Sequence, residues 1–360
     1  LLSDLTVDTK YYFCGYVRQG DSYIYGTPAE FTTLKHPYEL SYDLNVSSAT
    51  DLSSSGSANC YIVSNAGLYK FKTVKGNSSE YVGNVASASI LWETFGTSVA
   101  PVPADLIKAF CYKDGYIAFQ TADTFKEGNA VIAAMDAEGT IIWSWHIWLT
   151  DQPQGQEYYN NAGTMMDRNL GATSATPGDV GALGLLYQWG RKDPFTADQS
   201  GYVPMFTSSN SQTTIAESVA NPTVFAGVGY RGWVTPDNTL MWNPSKKTIY
   251  DPCPVGYRVP SNIVWSGFLQ DGQTSQYGIT EKYNVSGGWD NGWNFLYDGV
   301  NSTYYPSTHY VNNGGFEEWN GSTPLYWKSN STASSATLSQ STDARSGQYS
   351  VCVQANTASN

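Results

Sequence analysis

Charge is what this chain has least of. Asp, Glu, Lys and Arg supply 14% of its 360 residues, against about a quarter in an ordinary globular chain. The 31 acidic groups outnumber the 19 basic ones, leaving a net charge of −12 with no run of like charges. Acidity spread this thinly serves solubility, and it excludes nucleic acid and an anionic membrane surface as partners. Histidine is scarcer still: the three present are scattered, so the spacing of a zinc site is missing. The five cysteines, Cys14, Cys60, Cys111, Cys253 and Cys352, include no CxxC pair. They are too few for a disulfide scaffold, and their odd number leaves at least one thiol free. No motif for a metal or other cofactor is present, and none is expected. No stretch of the chain approaches the ~18 consecutive apolar residues of a membrane span. A signal peptide is absent too, and the chain opens Leu1-Leu2-Ser3. It reads as a piece of a longer protein, whose location the missing leader does not set.

What the chain has in excess is aromatic surface. Tyr (27) and Trp (12) exceed what a core needs, because their O–H and N–H groups want partners or solvent. With many Gly, Ser, Thr and Asn between them, they describe strands and loops, the habit of extracellular β-rich proteins. The length predicts two or three domains, each able to bury a core.

Residues 1–34 alternate in period two on both sides of the polar turn Gln19-Gly20-Asp21-Ser22, a β-hairpin signal. The spacing Leu5-x-x-x-Thr9-x-Tyr11, closing on Phe31-Thr32-Thr33, resembles the last strands of a fibronectin type III domain. After a short linker, residues 38–150 predict a β-sandwich module. Strands are expected at Asn59–Val63, Gly67–Phe71, Ser89–Trp92, Tyr116–Phe119, Asn129–Ala133 and Ile141–Trp148, punctuated by Gly, Asn and Ser. The last of these carries large groups on both faces, so one face is expected in the sandwich core and the other against the following unit. His146 lies there without a Cys, Asp or Ser at a catalytic spacing, and reads as a hydrogen-bonded interface histidine. The segment resembles an all-β module of Bacteroidota surface proteins.

The next unit centres on Asp251-Pro-Cys-Pro-Val-Gly-Tyr-Arg-Val-Pro-Ser261. Three prolines and a glycine forbid a helix and dictate a stiff extended arm. Ser261 stands where an N-cap would, ahead of apolar residues at helical spacing over Asn262–Leu269. Together with Met166-Asp-Arg-Asn-Leu170, Tyr187-Gln-Trp-Gly190, Tyr326-Trp-Lys-Ser329 and Val351-Cys-Val353, this arm resembles the Fibrobacter succinogenes major paralogous domain, over 156–356. Tyr257 replaces a frequent Trp, and the Arg that usually precedes the last Cys is absent. The resemblance implies an α+β C-type-lectin-like fold with long loops at 198–247 and 270–300. It also implies a disulfide between Cys253 and Cys352. Closing so long a loop would stabilise by roughly 4–5 kcal/mol on the chain-entropy model.

Chemistry is hard to find. Neither Trp289-Asp-Asn-Gly-Trp-Asn294 nor Trp319-Asn320-Gly321 supplies the carboxylate set of a sugar-binding calcium site. Glu317 and Glu318 are adjacent, so on a strand they face opposite ways, unlike a glycosidase pair. Arg258-Val-Pro-Ser-Asn-Ile-Val-Trp265 resembles an element of the sulfatase-modifying enzymes, whose paired late cysteines are missing here. Gly227–Gly232 lacks the strand-to-helix context of a phosphate loop. Asp167, Arg168, Asn169, Arg191, Lys192 and Asp193 read as buried polar pairs beside a core Trp189. The candidate ligand contacts are therefore loop aromatics: Trp233, Trp242, Trp289, Trp293, Tyr304 and Trp319. The expected protein is a non-enzymatic binding or adhesion protein at the cell exterior or outer-membrane surface, its ligand a glycan or an extracellular protein. The alternatives are an accessory region of a glycan-active enzyme and a structural fimbrial component.

Overall fold

A computed structural model describes residues 10–32 and 44–268, apart from 98, 100, 103, 177–178, 199–202, 205–206, 209–210, 228–232 and 236–240. Beyond 268 it describes seven strand segments between 285 and 355. The protein is mainly β, with one α-helix among these residues. Four short strands come first: β1 (Lys10–Phe13), β2 (Tyr16–Gln19), β3 (Ser22–Tyr25) and β4 (Ala29–Thr32). β2 and β3 close around Gly20-Asp21, where Gly20 takes φ +61°, and β1 pairs antiparallel with β4 outside them. The hairpin expected from period-two alternation is present.

The next strands are β5 (Thr50–Asp51), β6 (Cys60–Val63), β7 (Leu68–Lys72), β8 (Ser87–Thr94), β9 (Ile107–Lys113), β10 (Tyr116–Thr121), β11 (Gly128–Met135) and β12 (Ile141–Leu149). They build two four-stranded sheets, ordered β5-β7-β10-β9 and β6-β12-β11-β8. The sheets share one core, where Phe71 meets Tyr61 at 5.1 Å and Trp145 at 5.2 Å between ring centroids. Trp145 is fully buried; a ring covering ~150–250 Å² contributes about 4–6 kcal/mol at ~25 cal/mol/Å². β11 reads Gly-Asn-Ala-Val-Ile-Ala-Ala-Met and is buried through Ala134. Small side chains let it lie between β8 and β12 while covered on both faces.

Sequence reading missed β9, although Asp114-Gly115 is a strong hairpin signal. Both residues take positive φ (52° and 79°) and set Lys113 opposite Tyr116. β12 behaves as its two bulky faces require. Trp143, Trp145, Ile147 and Leu149 enter the sandwich core. On the other face, Ser144 donates to Asp193 Oδ1 (2.6 Å) and Trp148 Nε1 to the Ala172 carbonyl (2.9 Å).

Asn59 ties this sandwich to the chain that follows. Its Nδ2 donates to the carbonyls of Ile249 (2.7 Å) and Asp251 (2.9 Å), while its Oδ1 accepts from Trp143 Nε1 (3.1 Å). Gly76 must lack a side chain here, because a Cβ would lie 2.3 Å from Asn59 Oδ1. After β12 come a hairpin, β13 (Gly155–Tyr158) with β14 (Gly163–Met166), and helix α1 (Ile215–Ala220). Thr214 and Glu217 form a reciprocal capping box at the start of α1. Residues 262–268, expected as a capped helix, form a tighter 3-10 turn in which Val264 N–H donates to Ser261 and Ser266 Oγ to Ile263.

Candidate binding cleft

The arm 251–261 is held rigid from below. Asp251, fully buried, accepts from Cys253 N–H on Oδ1 (2.9 Å) and from Val259 N–H on Oδ2 (3.0 Å). One carboxylate thus pins both ends of the Cys253–Val259 loop. Lys247 Nζ donates to the carbonyls of Cys253 (2.8 Å) and Pro254 (2.7 Å), and Tyr257 N–H closes the turn onto Pro254. Prolines supply no N–H, so these carbonyls and the few remaining amides carry the whole loop.

Two concavities flank the arm and share Gly256. One is a cleft of about 330 Å³ between the β14 edge (Gly163–Met166) and the arm, walled by Met165, Met166, Pro244, Tyr257, Pro260 and Ile263. Arg258 lies on its rim, exposed, and its guanidinium meets no partner among the described residues. The other is a shallower groove of about 480 Å³, lined by Ser57, Asn77, Ser78, Ser79, Lys247 and Val255. Gly256 takes φ +85°, with open space among the described residues where a Cβ would point.

The six aromatics expected at a ligand surface part company. Trp233 is buried, and its Nε1 donates to the Trp189 carbonyl at 2.6 Å; it supports the structure from inside. Trp242 is half-buried, with Nε1 donating to the carbonyls of Arg191 (3.2 Å) and Tyr250 (3.0 Å). Trp293 pairs with Tyr305, and Tyr304 with Asn294, in strands Trp293–Leu296 and Ser302–Tyr305. Trp319 opens strand Trp319–Asn320. The side chains of these three, and the whole of Trp289, lie outside the described residues.

Trp189, expected in the core, is instead 49% exposed. The next residue explains it. Gly190 takes φ +86° and packs so closely that a Cβ would meet Met241 Cε at 2.6 Å. This left-handed step turns the chain before Arg191 goes inward, and Trp189 is left on the outside. Its ring lies 6.3 Å from that of Trp242, which two hydrogen bonds hold still. Glycine after Trp189 signals a turn, but which way the ring faces depends on Met241, distant in the chain. Trp242 also stands two residues from Pro244 of the cleft wall, at most about 7 Å of chain away.

Beneath this surface the polar residues are structural, as their pattern suggested. Lys192 and Asp193 are buried and pair at 2.6 Å, with Lys192 also donating to Ser144 Oγ (2.6 Å) and O (3.0 Å). Burial pulls the Lys192 ammonium down from its ordinary pKa, and Asp193 opposes that fall. Arg191 donates to the carbonyls of Ser218, Asn221, Pro222 and Val224 at 2.7–3.3 Å, covering the carbonyl end of α1. Arg168 clamps Asp151 and Asp167 at 2.5 and 2.9 Å.

His146 is buried, with Nε2 2.9 Å from Asn129 Oδ1. That oxygen only accepts and Asn129 Nδ2 donates to Gly171 O (2.9 Å), so the imidazole proton sits on Nε2. Burial lowers its pKa to about 3 and keeps the ring neutral. Cys253 is a buried thiol, and the side chain of Cys352, its expected bridging partner, lies outside the described residues. The arm is fastened to the sandwich by Pro254, which forms a β-bridge with Cys60. Burial raises the pKa of both thiols, Cys60 and Cys253, which makes them inert. Cys352 faces Ser339 across the strand pair Ala336–Ser341 and Ser350–Ala355.

Among the described residues no three His, Cys, Asp or Glu side chains converge on a metal position, and no helix is long and apolar enough to cross a membrane. No protein family, curated protein or solved structure matches the chain.

Proposed function

We propose that this chain is a saccharide-binding portion of a non-enzymatic extracellular protein acting in adhesion at a bacterial surface. In this reading a β-sandwich stalk carries a C-type-lectin-like unit from about residue 156. One observation carries the proposal: Trp189 is an exposed ring on a rigid support, with Trp242 beside it at 6.3 Å. A flat indole facing water beside a second, hydrogen-bonded ring suits the apolar C–H face of a pyranose. The neighbouring cleft of about 330 Å³ falls in the usual size range of ligand sites. The polar clusters nearby are consumed in holding the scaffold, which favours binding over reaction.

The test is a glycan array run beside a panel of extracellular-matrix proteins. Binding to saccharides is expected, with Trp189→Ala weakening it at least about tenfold, as for an aromatic hot spot. Silence on the array sinks the proposal, as does full binding by Trp189→Ala.

A further inference from the structure

The cleft and the groove beside the arm differ in chemistry, and the difference points to a ligand class. The cleft wall offers thioethers, a tyrosine, two prolines and an isoleucine. Among the described residues that line it, Arg258 is the one charged group, and there is no carboxylate. Every other arginine whose surroundings are described has a partner: Arg18 faces Asp21, Arg168 pairs with Asp151 and Asp167, and Arg191 donates to backbone carbonyls. In a chain of net charge −12, a free guanidinium on a rigid rim is locally exceptional. Its planar fork matches a carboxylate with two parallel hydrogen bonds.

The groove across Gly256 is uncharged apart from Lys247, whose ammonium is spent on two carbonyls. Asn77 Oδ1 and the Ser79 hydroxyl have no partner there among the described residues. Unpaired amide and hydroxyl groups suit ring hydroxyls. A densely charged polymer would be repelled by the acidic surface, so anionic groups on the ligand must be sparse.

We infer that the arm binds a saccharide bearing an isolated carboxylate, a hexuronate flanked by neutral sugars. The carboxylate pairs with Arg258 in the cleft, and the neutral residues cross Gly256 into the Asn77–Ser79 groove. This rests on the saccharide-binding reading and names the class of sugar at the site.

The experiment uses the full chain and a panel of oligosaccharides with one hexuronate among neutral sugars, each paired with its carboxyl-reduced form. Affinity is measured by calorimetry at low and physiological salt. The carboxylated member is expected to bind at least about tenfold tighter, with the preference shrinking as salt rises. Arg258→Gln should abolish the preference while leaving affinity for the reduced form within twofold, and Arg258→Lys should restore part of it. Because this guanidinium meets no partner among the described residues, an unchanged melting temperature is expected and verifies that the variant is intact. Equal binding of both forms, a preference that survives Arg258→Gln, or binding only to an acidic peptide overturns the inference. Neutral saccharides bound without carboxylate preference would leave the broader proposal standing, whereas silence towards every saccharide removes both.

Discussion

The junction under β12 and the cleft beside the 251–261 arm use the same residue types to opposite ends. Both combine a cation, a tryptophan and a rigid turn. At the junction, Lys192 lies 4.6 Å from the Trp143 ring and 2.6 Å from Asp193, sealed from solvent. At the cleft, Arg258 is exposed and meets no partner among the described residues, and Trp189 is half exposed. A buried cation has to be satisfied by its own chain, because desolvation costs more than an imperfect pair returns. An exposed cation on a stiff loop stays available to something else. The lesson is that rigidity at the junction underwrites availability at the cleft: Asn59 and Asp251 anchor the arm so that Arg258 need not.

The largest expected effect tests the sealed side of that contrast. Lys192→Met leaves the Asp193 carboxylate buried and unpaired, and should cost about 3–5 kcal/mol in denaturant unfolding. The double variant Lys192→Met/Asp193→Leu should recover at least half of that loss. A loss below about 1 kcal/mol for the single variant would mean that water reaches the pair.

Next comes the link between the two regions. Asp251→Asn keeps the shape but loses the charge of a group that accepts two backbone N–H donors. We expect a loss of about 1–3 kcal/mol and faster proteolytic cleavage within 253–261. If cleavage there is unchanged, Asp251 is not what stiffens the arm.

The junction also predicts a pH dependence. His146 is neutral when folded, with a pKa near 3, and titrates near 6.5 when unfolded. The unfolded state therefore binds the extra proton first. Stability from this group is complete above about pH 7 and falls as pH drops through 6.5, losing about 2 kcal/mol by pH 5. Unfolding free energies of the wild type and His146→Gln from urea titrations should converge by that amount between pH 7 and pH 5. Parallel curves would show that the ring is solvated.

The smallest effect is expected on the open side. Arg258→Gln should change folding stability by less than about 0.5 kcal/mol, since its exposed side chain meets no partner among the described residues. A larger loss would make Arg258 a structural residue and erase the distinction between the two regions.

Much of this was written locally. The hairpin at Gln19–Ser22, six of the sandwich strands and the two-faced burial of β12 follow from alternation and turn residues, as does the non-helical arm. Tryptophan content alone could not separate Trp189 from Trp233, because burial depends on what packs against each ring. The positive φ of Gly190 and the donation of Trp233 to the Trp189 carbonyl decided that. Nor could spacing reveal that Pro254 pairs with Cys60, 194 positions apart in the chain. Periodicity and proline chemistry act over a few residues, so the sequence by itself determined the strands, the turns and the stiffness of the arm. Which cation is neutralised, which tryptophan is exposed and where a cleft opens depend on contacts between distant segments, and only the tertiary structure settled them.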